Sequence, residues 1–307
     1  MWIILAVALG VLLLLLCGAL IAYKMTFYTD RKRHYNPDVE PNCAHDEIKL
    51  RARALAVEFM KREYEEVSIE SYDGLRLSAN YYHAKDGAPL QICFNGYRSR
   101  VERDFSGGGK EALDAGCNLL LVHQRAHGKS EGRTISFGAR ERFDVLSWVK
   151  YAKERFGEDR KIILAGVSMG AATVLSASDM DFGGNVCGIV ADCPCSSAKG
   201  IIKKVIADMG ISPNLFYPLV RLGGLVFGGF DPDKADATSH VKNTKIPILL
   251  IHGEGDKFVP ISMSEEISGA SELVEFHRFK DATHGKSYIY DTERYRAALL
   301  DFYKRIL

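Results

Sequence analysis

Gly166-Val167-Ser168-Met169-Gly170 places a serine between two glycines, directly after the apolar run Lys161–Ala165 and before a small-residue stretch, Ala171 to Ser178. A strand–turn–helix setting is what a G-x-S-x-G nucleophile needs, because a sharp turn presents the hydroxyl beyond the end of the strand. The glycines have a steric reason. A strained turn lets strand and helix approach closely only where neighbours carry no bulky Cβ group. The helix that starts at Ser168 also aims its first amides at the reacting oxygen. A serine hydroxyl further needs a base, and the base needs an orienting acid. Downstream, the run Ile246–Ile251 leads into His252-Gly253-Glu254-Gly255-Asp256 and Val259-Pro260, and Val274–Phe279 leads into Asp281-Ala282-Thr283-His284-Gly285. Asp256 and His284 thus fall in loops just past successive strands, and Ser, Asp, His is one of the known triad orders. Asp192, at the end of Gly188–Ala191, competes for the acid's place; His252-Gly253 and Val259-Pro260 favour Asp256. Upstream, Leu90–Phe94 ends in Asn95-Gly96-Tyr97-Arg98, a loop whose Tyr97 amide is expected to complete an oxyanion hole with that of Met169.

Other reactive-looking groups carry duller readings. Cys193-Pro194-Cys195 lacks the second ligand pair of a metal site and reads as buried strand-end cysteine. Gly107-Gly108-Gly109-Lys110 has neither the following Ser or Thr nor the spaced glycine of a phosphate loop. His123, His127 and His252 are read as loop braces and Glu254 as solvated.

These residues require a scaffold of strand ends. Short apolar runs at Leu90–Phe94, Asn118–Val122, Lys161–Ala165, Gly188–Ala191 and Ile246–Ile251 alternate with helix-length segments such as Phe137 to Arg155. Near-continuous apolar strands alternating with helices predict an α/β fold with a mostly parallel central sheet covered on both faces. Val67–Tyr72 and Leu75–Tyr82 flank Asp73-Gly74 as a hairpin. Residues 196–242 are too long for an ordinary connection and carry helical apolar positions, so they read as an inserted helical cap. Its segment around Phe216, Tyr217, Leu219 and Val220 either lines an acyl pocket or packs against the sheet edge.

With the triad-bearing loops in place, the chain over residues 65–307 resembles the α/β-hydrolase superfamily. His123-Gln124-Arg125-Ala126-His127-Gly128-Lys129-Ser130-Glu131-Gly132 is similar to the D-x-R-G-H-G-x-S-x-G stretch of many members, departing at Ala126, where the stretch has glycine. The run Phe137 to Asp144 with Trp148 is similar to membrane-anchored bacterial members described as esterase-like or peptidase-like. The resemblance implies acyl transfer to water through an acyl-Ser168 intermediate, on a small acyl substrate and without metal or organic cofactor. An ester or thioester is the expected substrate. A peptidase or amidase with the same triad is the alternative, as is a silent member that binds a ligand in the cavity.

Composition agrees with an enzyme-sized globular chain: 307 residues, 47% hydrophobic and 26% charged. Forty basic against thirty-nine acidic residues give no excess that would recruit nucleic acid. Residues 2–23 carry no charge and span roughly 33 Å as a helix, enough to cross a bilayer, so they read as an uncleaved single-pass anchor. A signal peptide would want a basic start and a small-residue exit, and Leu20-Ile21-Ala22 supplies no good one. Residues 24–64 follow as a charged connector with Pro37 and Pro41, closing with a helix over Glu47 to Glu63. Lys24, Arg31, Lys32 and Arg33 follow the span and place the hydrolase domain on the cytoplasmic side, the extracytoplasmic side being the alternative. Seven scattered cysteines suit a reducing compartment. In intact cells, a cysteine introduced between Asn36 and Asn42 is therefore expected to resist a membrane-impermeant maleimide until lysis; labelling before lysis places the domain outside.

Overall fold

In a computed structural model, which describes residues 1–30 and 46–307, the apolar runs form one eight-stranded sheet. Its strands are β1 (Glu65–Glu70), β2 (Arg76–Tyr82), β3 (Leu90–Phe94), β4 (Asn118–His123), β5 (Ile162–Val167), β6 (Val186–Asp192), β7 (Ile248–Gly253) and β8 (Val274–Phe279). The spatial order is β1-β2-β4-β3-β5-β6-β7-β8. Only the β1–β2 and β2–β4 pairings are antiparallel; β4, β3, β5, β6, β7 and β8 run parallel.

Side chains alternate between the faces of a strand, and here both faces are buried. Ile92, Leu120, Leu164 and Leu250 point to one layer, where Val145, Trp148 and Val149 of helix α5 (Glu141–Phe156) cover them. Cys93, Leu121, Ile163 and Leu249 point to the other, against Phe59 of α2 (Glu47–Phe59) and Leu299 and Phe302 of the C-terminal helix, Thr292–Ile306. The expected mostly parallel sheet between helical layers is borne out.

Between β6 and β7 the chain is helical, as expected of residues 196–242. It forms α7 (Ala198–Asp208), α8 (Pro213–Gly223), a wide π turn (Gly224–Gly228) and a short helix at Ala237–Val241. A third apolar cluster joins this insertion (Ile201, Ile202, Tyr217, Val220) to Met169 and to Tyr23 and Phe27 near the N-terminus.

Several local expectations are corrected. The helix read from Phe137 starts at Glu141, because Phe137 and Gly138 adopt positive φ. The Glu141 carboxylate folds that corner by accepting the Ser136 and Gly138 amides. The helix read to Glu63 ends at Phe59. The hairpin turn is wider than Asp73-Gly74, with Glu70 opposite Arg76.

Helix α1 (Trp2–Thr26) is long and apolar enough to cross a membrane, but it does not give way to a connector at residue 24. Its Leu16, Ala19, Leu20 and Tyr23 form a covered stripe at helical spacing, and the following Phe27 is fully buried. The chain then pairs with residues 133–135: the Thr29 amide donates to Arg133 O and the Ile135 amide to Phe27 O. Arg31, Lys32, Arg33, Pro37, Pro41 and Cys43 lie outside the described residues.

The sharpest steric constraint is at Gly170, where an added methyl would land on the Phe94 carbonyl. Gly10 of α1 has open space around the same position. Gly170→Ala is expected to lower Tm strongly or abolish folding, and Gly10→Ala to leave it unchanged; equal melting curves for both would contradict this packing.

Candidate active site

The strand ends converge as parallel α/β sheets require, with loops after β3, β5, β7 and β8 meeting at the carboxyl edge. After β5 the chain turns at Ser168, which sits at φ 56°, a strained region for a residue with a side chain. Helix α6 (Met169–Ser176) starts at once, and the Ser168 amide is tied to Asp192 O at 2.8 Å. The strain is held by packing. Gly166 and Gly170 pass backbone against backbone, and a Cβ on either would collide with main chain.

The side chains predicted as a triad lie together. Ser168 Oγ is 2.9 Å from His284 Nε2, and His284 Nδ1 is 2.6 Å from Asp256 Oδ2. Asp256 is buried, and its Oδ1 accepts the Phe258 and Val259 amides, both at 2.9 Å. Burial opposes its ionisation, but hydrogen bonds from His252 and His284 outweigh that and hold the carboxyl well below the usual carboxylate range. An ionised Asp256 fixes the proton of His284 on Nδ1, leaving Nε2 to accept from the serine. Phe258 stands half-exposed with its ring 5.1 Å from the His284 ring, edge to face.

Asp192, the rival acid, is not brought to His284. Its Oδ2 accepts from the Tyr295 hydroxyl at 3.2 Å, and its buried Oδ1 has no hydrogen-bond partner among the described residues. Burial pushes its carboxyl up to about 6.

In the loop after β3, Gly96 lies against Ser168, since a Cβ there would be 3.4 Å from that of the serine. Asp104 accepts the Gly96 amide at 2.8 Å and the Ser99 hydroxyl at 2.6 Å. His127 Nε2 accepts the Arg98 amide at 2.9 Å. The two amides flanking Tyr97 are thus engaged, and Met169 opens α6 beside the serine. Gln124 Nε2 donates to Asn95 O and its amide to Asn95 Oδ1, so the residue directly after β4 pins this loop. Ala126, at φ 65°, occupies a conformation that a glycine would take without strain.

Of the two supports behind the site, sequence reasoning read His252 as a loop brace without tying it to the acid, and missed Asp104. His252 is fully buried, with Nε2 between Asp256 Oδ2 (3.2 Å) and Val259 O (3.0 Å) and Nδ1 2.6 Å from Ser264 Oγ. Facing two acceptors, Nε2 carries the proton. Its spacing of four residues before Asp256 was the available signal. Asp104 had none, because its partner Gly96 is met only through the fold.

Cys193, Asp256 and His284 could bring three ligand atoms within 4.8 Å of one another. Both ring nitrogens of His284 are already engaged by Ser168 and Asp256, and burial pushes the Cys193 thiol far up, so the set is poorly suited to a metal. Of the cap residues offered as an acyl pocket, Tyr217 and Val220 are buried in the third cluster, and Leu219 packs on Gly18 of α1.

No protein-family model matches the chain. It is 25% identical over 195 residues to the uncharacterized protein YqkD of Bacillus subtilis, covering 62% of this chain and 63% of that protein, less than two thirds of its length. It is 23% identical over 284 residues to protein bem46 of Schizosaccharomyces pombe, covering 88% of this chain and 81% of that one. The solved esterase Pf2001 of Pyrococcus furiosus superposes with a TM-score of 0.66 at 25% identity, over 81% of this chain and 93% of that one. The chain has the α/β-hydrolase fold.

Asp192 yields a pH test whose sign is fixed. An unfolded aspartate titrates near ~3.9, below the value of about 6 that burial gives it in the fold. The associated stability is therefore full below pH ~4 and is lost as pH rises through about 6. Asp192→Asn removes that loss, so its Tm relative to the unaltered protein should climb between those pH values and then level off. A constant difference from pH 4 to 8 in thermal melts would contradict a carboxyl held up by burial.

Proposed function

We propose that this protein is a serine hydrolase that cleaves carboxylic esters or thioesters. The observation that carries this reading is the unbroken chain Ser168 Oγ–His284–Asp256, at 2.9 and 2.6 Å. In the proposed reaction Ser168 attacks the acyl carbonyl while His284 Nε2 takes its proton, and Asp256 stabilises the resulting imidazolium. The Met169 and Tyr97 amides receive the oxyanion; engagement of both neighbouring amides, by Asp104 and His127, supports a fixed orientation at Tyr97. His284 then returns the proton to the departing alcohol or thiol, and water, deprotonated by the same imidazole, releases the acid from the acyl-serine. No step calls on a cofactor.

The likeness to the Pf2001 esterase favours ester over peptide. A silent ligand-binding protein is disfavoured by the assembled triad, since binding alone does not need three groups in register.

We also propose that α1 is a retained membrane anchor rather than a cleaved leader. Its last turns cover apolar surface of the cap, and the Tyr97 hydroxyl donates to Thr26 O at 2.8 Å. Removal would expose that surface. The basic residues after the span assign the domain to the cytoplasmic side.

Full-length protein is expected to be labelled by a fluorophosphonate and to hydrolyse short acyl esters. Ser168→Ala should lose labelling and on the order of 10⁴-fold or more in rate, because triad members act as a unit. Asp256→Asn should be severely impaired and Asp192→Asn should stay active; a reversal of these two reassigns the acid. Ester hydrolysis that persists in Ser168→Ala refutes the nucleophile.

A further inference from the structure

Resting on the proposal that α1 is a membrane anchor, we infer that the cap is itself a lipid-docking surface: α8 and the π turn after it sit in the bilayer interface and hold the reaction centre at the lipid–water boundary. The first argument is one of length. The covered stripe on α1 begins at Leu16, leaving only Trp2 to Leu15 clear of the protein. That free part is about 21 Å of helix, while the hydrocarbon core is roughly 30 Å thick. The apolar helix fills the core only if the turns beside the cap are also immersed, which carries the adjoining cap surface in with them.

The second argument is what that surface presents. Leu215, Phe216, Leu225, Val226 and Phe227, on α8 and the π turn, are 38–69% exposed. Such a cluster on a soluble face would be a liability. The contact between the two elements is close, through small residues. A Cβ on Gly223 would meet Ala19 O and the Tyr23 side chain, and Leu219 lies 3.7 Å from the Cβ position of Gly18. The Phe227 ring is 6.1 Å from that of Tyr23. The exposed ridge is therefore continuous with the spanning helix, which selects a lipid surface over a separate protein partner.

The third argument ties this surface to the chemistry. Arg98 Nη2 donates to Met25 O and Tyr28 O, both at 2.9 Å, and Tyr97 Oη reaches Thr26 O. The loop that flanks Ser168 is thus bonded to the end of the helix that sets membrane depth. An acyl substrate dissolved in the bilayer meets the site without crossing bulk water.

The test is depth-dependent quenching on full-length protein in phosphatidylcholine vesicles whose acyl chains carry bromine. In a Trp2→Phe background the remaining native tryptophan, Trp148, is fully buried and gives a constant baseline. Single tryptophans are introduced as Leu9→Trp in the free part of α1, as Phe216→Trp and Val226→Trp on the ridge, and as Leu273→Trp at the opposite edge of the sheet. The expected result is loss of emission at 9, 216 and 226, with 273 unaffected. Loss at 9 with 216 and 226 bright overturns the inference and leaves the anchor intact. No loss at 9 refutes the anchor, and the inference with it. Loss at 273 as well would mean indiscriminate adsorption and also overturns it. None of these readouts depends on catalysis, so the hydrolase reading stands or falls separately.

Discussion

Helix α6 begins so close to β3 and β5 that neither Gly166 nor Gly170 has room for one more carbon. Much of the site depends on that passage. It forces Ser168 into a positive φ, so that the side chain leaves the turn above the sheet edge rather than lying along the strand. It sets the first amides of α6 beside the hydroxyl, where helix-end donors favour developing negative charge. It also ties the elbow to the next strand, because the Ser168 amide donates to Asp192 O and the Cys193 amide to Ile251 O. The cost of the strained residue is met by the buried packing on both sides of β5 rather than by anything at the site.

The second dependence is electrical. Asp256 is an anion with almost no access to water, a state that is unfavourable unless donors surround it. It has four: the Phe258 and Val259 amides, His284 and His252. The last is informative because His252 has no path to Ser168. Its ring is oriented by Ser264 so that a proton faces Asp256 and Val259 O. That places a donor behind the carboxylate, which keeps it ionised without competing for the position opposite His284. In this arrangement two histidines bind one carboxylate, but only one of them faces the serine.

Legibility in the sequence followed the range of the interactions. Strand runs such as Leu90–Phe94 and Ile246–Ile251 were readable because burial on both faces demands near-continuous apolar residues. The placement of Ser168, Asp256 and His284 at strand ends followed from the same runs. What could not be read were contacts fixed only by the fold: Asp104 under Gly96, His127 on the Arg98 amide, and the packing of α8 on α1. The misplaced start of α5 has a local cause. Phe137 to Arg140 carries helix-compatible residues, and only the capture of Ser136 and Gly138 by Glu141 bends them out. The span of α1 was read as ending at residue 23 because charge begins there. Its continuation to Thr26 is set by contacts with the cap that hydropathy does not register.

Those contacts alter how the N-terminal helix is understood. A simple tether would end in solvent-exposed chain and leave the site indifferent to it. Here Phe27 lies fully buried, edge to face with Phe230 at 5.0 Å and with Phe137 at 6.0 Å, and Phe137 stacks on Tyr97 at 5.1 Å. An aromatic series therefore runs from the cap through the helix end to the loop after β3. Arg98 closes the same junction from outside, its guanidinium satisfying carbonyls at the carboxyl end of α1, where a cation is favoured. Because apolar interiors are close-packed, a shift of the helix end cannot be absorbed locally and must pass to Tyr97 through Phe137. The geometry of the loop beside Ser168 is in this sense partly set by how α1 is seated, and a chain cut after residue 26 would lose a structural member of the site.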